Sequence, residues 1–124
     1  MAQLITTTRR SDITFCRDGR IYITAAVAAT LKLRPGDSIN IFADNGEYYI
    51  FAIPNTDNGR HHAKVYATKR GGRNFRAISV KLSRRLLDSC GITAQRAAFA
   101  TGNAICLFGR TYIPIITKHP LDND

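Results

Sequence analysis

The chain has 124 residues, 22% of them charged, and a formal net charge of +9, with a pI near 10.0. That length fits one domain with a shared core, and no apolar run approaches the roughly 20 residues of a membrane span. Nor does MAQLITTTRR hold the apolar region of a secretory signal, so we expect a cytoplasmic protein.

Ile13 to Cys16 and Ile21 to Thr24 flank Arg17-Asp18-Gly19-Arg20. An Asp-Gly pair between such runs signals a hairpin whose two central residues take positive φ. Thr24 then caps a short helix through Leu31, with Val27 and Leu31 on one face, and Pro35-Gly36 stops it. Asp37 to Phe42, an Asp44-Asn45-Gly46 turn and Tyr48 to Ile53 read as a second hairpin. Pro54 to His62, rich in Asn, Asp and Gly, reads as a linker.

The grammar then repeats. Lys64 to Lys69 alternates, Arg70-Gly71-Gly72-Arg73 turns, and Phe75 to Ile78 leads to Ser79, a cap for a helix carrying Leu82 and Leu86 that Gly91 ends. Ala97 to Thr101, a Gly102-Asn103 turn and Ala104 to Phe108 read as the next hairpin, and Tyr112 to Thr117 as a final strand. Aligning Ile23-Thr24 with Ile78-Ser79 also brings Val27 onto Leu82 and Leu31 onto Leu86. Two ββαββ repeats follow, at about 12–53 and 63–108, each too small to close a sheet alone. The expected fold is mainly β with two short helices, a pseudo-twofold β-barrel in a single domain over 1–124.

The stretch DGRIYITAAVAATLKLRPGDSINIFADNGEYYIFAI resembles the AbrB/SpoVT/MraZ family of swapped-hairpin transcription factors. Gly19-Arg20, Leu31-Lys32-Leu33, Pro35-Gly36-Asp37 and Ile39-Asn40-Ile41 stand at matching places, and FRAISVKLSRRLLDSCGI is similar, with Arg84-Arg85 at the family's basic pair. The resemblance implies an AbrB-like or double-psi-like pseudo-dimer in one chain, binding duplex DNA and able to assemble into a homo-oligomer. The family's helix-starting Pro is replaced by Thr24-Ala25 and Ser79-Val80, and the first helix has no basic pair.

Charge agrees with a division of labour. Residues 1–58 hold six Lys or Arg against six Asp or Glu, while 59–124 hold twelve against three, and Arg60 to Arg85 contains nine basic residues and no acid. The DNA-binding candidates are Arg70, Arg73, Arg76, Arg84 and Arg85, with Lys69 and Lys81 adding charge and Arg17 and Arg20 in the first turn. Adjacent Arg84 and Arg85 point about 100° apart on a helix and cannot share one target, so one of them is a candidate for a structural role.

Other chemistries lack their residues. Cys16, Cys90 and Cys106 show no C-x-x-C spacing and read as small buried hydrophobes, and His61-His62 has no spaced carboxylate or thiolate to complete a metal site. No catalytic triad order, nucleophile elbow or phosphate loop is present, so neither enzyme activity nor a cofactor is expected. Phe42, Tyr48, Tyr49 and Phe51 read as cross-strand packing rather than base-stacking residues. The reading is a DNA-binding transcriptional regulator; the alternative is a non-enzymatic interaction or assembly module, antitoxin-like or scaffold, on the same fold.

Overall fold

The computed structural model describes residues 12–55, 63–118 and 120–121. The His61-His62 pair, Arg60 and most of the expected linker lie outside these residues. The element order is β1 (Ile13–Cys16), β2 (Arg20–Ile23), α1 (Ala25–Leu31), β3 (Ser38–Asp44), β4 (Glu47–Ile53), β5 (Val65–Ala67), β6 (Phe75–Ile78), α2 (Val80–Ser89), β7 (Arg96–Phe99), β8 (Ile105–Leu107) and β9 (Arg110–Ile115).

Among the described residues the chain is mainly β, with two helices and two antiparallel sheets. Sheet A runs β5-β6-β2-β1-β7 and sheet B runs β3-β4-β9-β8. These are open ladders rather than the single closed barrel expected from the sequence. Their edges are linked at the bridges Ser38–Lys64 and Thr101–Ile115, with backbone hydrogen bonds beside them such as Ile39 N to Ala63 O and Ile116 N to Ala100 O. Alternation decides which side of each strand faces inward: Ile13, Phe15, Ile21, Ile23, Val65 and Phe99 from sheet A and Ile50, Ile113 and Ile115 from sheet B join one buried cluster. Phe15 and Phe99 meet edge to face at 5.9 Å between ring centres. Each such side chain, fully buried, contributes about 1.5–3 kcal/mol.

The first turn differs from expectation. Gly19 alone takes positive φ, 104°, its N–H donates to the Cys16 carbonyl at 2.9 Å, and residues 17–19 form a three-residue loop. In the β3–β4 turn, both Asn45 (51°) and Gly46 (78°) are left-handed, as a two-residue hairpin requires. α1 ends at Lys32 in the left-handed region (φ 57°), before Pro35-Gly36 is reached. Asp37 then secures the following loop, its buried carboxylate accepting from Arg34 N at 2.9 Å and Asn55 N at 3.0 Å.

The two helix caps also differ. Ser79 Oγ accepts from Leu82 N at 3.2 Å, as its position predicts. Thr24 makes no side-chain cap; instead Asn74 Oδ1, reaching over from the β5–β6 loop, accepts from Ala25 N at 2.8 Å. A nonlocal amide has displaced the local hydroxyl, and Thr24 Oγ1 is left buried without a partner among the described residues.

The hairpin expected through the Gly102-Asn103 turn does not form. β7 is mostly buried and pairs with β1, Ile13 opposite Phe99 and Phe15 opposite Ala97. β8 turns instead through Phe108 (φ 51°) and Gly109 (φ 75°) onto β9. Apolar residues in β7 gain more by filling sheet A than exposed β8 can offer as a partner.

Gly19 fixes the first turn against α2. A Cβ there would lie 2.8 Å from Val80 Cγ2 and 3.0 Å from Val80 N, and the Gly19 carbonyl accepts from Ser79 N at 2.8 Å. Gly71, also left-handed at 72°, has open space around it. Urea unfolding should therefore show a loss of about 1 kcal/mol for Gly71→Ala, from backbone conformation alone. Gly19→Ala should cost at least twice as much, because Val80 must also move, at about 1–3 kcal/mol for such overpacking.

Candidate nucleic-acid interface

The ladders of sheet A define its outward face. Tyr66, Arg76, Tyr22, Thr14 and Ala98 lie opposite one another across the five strands. Arg20 sits opposite Ile78 in the neighbouring row. Tyr66 and Ile78 are more than half exposed, at 55% and 57%, and Arg76 and Arg20 are exposed beside them. Basic and aromatic side chains thus alternate on one surface.

The candidates divide into two ends joined by β6. Lys69, Arg70 and Arg73 are exposed on the β5–β6 loop, which is closed by Thr68 N donating to Asn74 O at 2.9 Å and Gly72 N to Lys69 O at 2.9 Å. Lys81, Arg84 and Arg85 are exposed on α2, at the other end of β6. Arg76 lies between them. The acid-free run of the sequence is therefore a strip along a hairpin and a helix rather than one compact cluster. The first turn joins the α2 end, because Ser79 N is tied to Gly19 O.

Only part of this charge is free. Arg17 turns inward, with its side chain 18% exposed. Its Nε donates to Ala94 O at 2.9 Å, Nη1 to Asp88 Oδ1 at 2.9 Å and Nη2 to Ile92 O. It fastens the α2–β7 connection and leaves no fork for a phosphate. Arg84 uses its Nε on Arg17 O at 3.0 Å, which makes it the helix arginine with a structural part. Lys81 and Arg85, one turn apart, share a line on α2. Ser83, Leu86 and Leu87 form the opposite, buried line, and Ser83 Oγ donates to Cys16 O at 2.6 Å.

Arg20 is exposed but paired: its guanidinium meets Asp18 Oδ2 at 2.8 Å. The hydrogen bonds from Arg20 hold the Asp18 carboxyl below the usual carboxylate range, and the same bond raises Arg20. Among the described residues the two ion pairs are Arg17–Asp88 and Arg20–Asp18, and both engage arginines of the first turn. No hydrogen bond or ion pair from the Lys69, Arg70, Arg73, Arg76, Lys81 or Arg85 side chain accompanies them.

Alternation could have placed Lys64 and Tyr66 on one face from sequence, since residues two apart on a strand share a side; Arg76 joins that face through the β5–β6 register. The role of Arg17 had no such signal, because its acceptors are backbone carbonyls more than 70 residues away.

Other sites are poorly equipped for chemistry. A pocket of about 920 Å³ lies between the α1–β3 loop and the β8–β9 turn, and its one carboxylate is Asp37, already held by two backbone N–H groups. No group of three His, Cys, Asp or Glu side chains able to hold a metal occurs among the described residues. Nor is any helix among them long and apolar enough to cross a membrane. The three cysteines are free thiols. Burial pushes the Cys16 and Cys90 thiols up, whereas Cys106 is exposed on β8, contrary to the expectation that all three are buried. Comparison with protein-family models, curated proteins and solved structures finds no match to this chain.

The division between structural and free arginines is measurable. Arg17→Ala should lower unfolding free energy by about 1.5–3 kcal/mol, the range for charge-assisted hydrogen bonds that leave acceptors unpaired. Arg70→Ala/Arg73→Ala should stay within about 0.5 kcal/mol of the wild type in the same denaturant titration.

Proposed function

We propose that this protein is a DNA-binding transcriptional regulator of AbrB-like type. It grips duplex DNA along the strip from the β5–β6 loop, across Arg76, to Lys81 and Arg85 of α2. One observation carries the reading: among the described residues these cations stand exposed without carboxylate partners, while the first turn's arginines are neutralised or turned inward. Unpaired like charges repel one another and weaken a fold, and phosphate removes that repulsion on binding.

The roles follow from position. Arg70 and Arg73 at the hairpin tip can enter a groove, where an arginine fork reads guanine, while Lys69, Arg76, Lys81 and Arg85 neutralise phosphates. Tyr66 and Tyr22 add flat surface beside Arg76.

The pseudo-twofold relation belongs to the same proposal. The step that carries Thr24 onto Ser79 carries Arg20 onto Phe75 and Ile23 onto Ile78. It therefore exchanges the pair Arg20–Ile78 for the pair Ile23–Phe75, both present in the β2–β6 ladder. The ladder is consistent with a local dyad between the two halves, and the charge asymmetry then makes only one half the principal reader.

Salt dependence tests the function. Each phosphate contact removed should lower the slope of log K against log salt by about 0.9, so Arg70→Ala/Arg73→Ala should lose up to roughly 1.8 if both touch phosphate. A lost base contact should instead cost about 1–3 kcal/mol at one position of the site. Arg20→Ala should change the slope by less than either. Absence of wild-type binding to any duplex at about 50 mM salt, where phosphate contacts are strong, would reject the regulator in favour of the assembly module.

A further inference from the structure

The outer face of sheet B has an order along its strands that the nucleic-acid reading does not use. Opposed residues share a face, so the ladders give four successive rows. Asp44 pairs with Glu47; then Phe42 with Tyr49 and Pro114; then Asn40 with Phe51, Tyr112 and Ile105; and finally Arg110 with Leu107. Same-face rows are about 7 Å apart, so acids and arginine stand about 20 Å apart at opposite ends.

Between them lies an aromatic field. Phe42 packs on Tyr49 at 6.0 Å and on Tyr112 at 6.1 Å, and Tyr112 on Phe51 at 5.3 Å. Arg110 lies over the Phe51 ring at 5.1 Å. Despite this mutual packing, Phe42 remains 49% exposed, Leu107 49% and Ile105 41%. Residues 101–109 contain no charge in a chain of net charge +9. A contiguous exposed patch of this kind is characteristic of a docking surface.

We propose that this face docks a second copy of the chain, face to face, about a twofold axis perpendicular to the strands. Such an axis places the Asp44–Glu47 end of one copy over the Arg110 end of the other, twice, and stacks the Phe42 row on the Phe51 row. An isologous contact must be self-complementary, and an acid–aromatic–base order along one direction meets that condition. The same order argues against a nucleic-acid occupant, because Asp44 and Glu47 would face phosphate. The uncharged β8 flank adds no local repulsion to the approach of two basic molecules. Because the inner sides of both sheets line the shared core, the dimer leaves the two sheet A faces outward. On the function proposed above it would join two duplex segments; the dimer itself does not depend on that function.

Sedimentation equilibrium with charge reversals tests the contact. The wild type should be a dimer, and Arg110→Glu alone or Asp44→Lys/Glu47→Lys alone should each weaken self-association roughly tenfold or more, because each leaves like charges at both ends. An equimolar mixture of the two variants should dimerise again, since every acidic end then meets a basic one. Circular dichroism of each variant checks folding, and restoration on mixing cannot come from a folding defect. A wild-type monomer at about 100 µM, where even weak micromolar association is filled, would overturn the proposal. So would a dimer whose strength ignores both reversals. Loss of single-stranded oligonucleotide binding in Phe42→Ala/Tyr112→Ala, with the mass monomeric throughout, would assign the face to bases and overturn it too.

Discussion

The antiparallel ladder between β2 and β6 is the constraint on which the rest of the molecule depends. It joins two hairpins more than fifty residues apart, pairing Arg20 with Ile78 and Ile23 with Phe75, and makes them the centre of sheet A. Each hairpin also holds the N-terminus of the helix that follows the other. The Gly19 carbonyl takes the Ser79 N–H, and the Asn74 side chain takes the Ala25 N–H. Helix N-termini carry unsatisfied donors, so these exchanges fix where α1 and α2 sit. Ile21, Ile23, Phe75 and Ala77 then face inward together and the common core can close.

That arrangement explains why similar turns have dissimilar charge behaviour. The first turn is pressed against α2, and Arg17 is pulled into the gap between α2 and β7. The second loop, from Thr68 to Asn74, is tied to α1 by the Asn74 side chain. α1 carries no ionisable side chain to pair with its arginines. The first turn is therefore structural, and the second loop is chemically open.

Much of the local structure was legible in the sequence because its signals are local. Asn45-Gly46, Ser79 and the alternation around Val65 and Phe75 each act within a few residues. What was not legible depended on distant partners. Gly102-Asn103 reads as a turn by composition, but no hairpin turn forms there: Ala97 to Phe99 pair with β1, and β8 turns through Phe108, a residue that rarely takes positive φ. Thr24 was a good cap by type and lost to Asn74. The basic run from Arg60 to Arg85 was visible as composition. Its separation into a loop end and a helix end appeared only once β6 was placed between them, and the aromatic residues of β3, β4 and β9 acquired a shared face only through the sheet B register.

On the proposed function, the free cations of sheet A and α2, and not sheet B, meet duplex DNA. Titrating labelled protein with a short duplex and following backbone amide shifts tests this residue by residue. Perturbation should concentrate at residues 69–73, at Arg76 and in the exposed line of α2, with Phe42, Tyr49 and Tyr112 unmoved. Shifts centred on sheet B, or confined to Arg17 and Arg20, would contradict it.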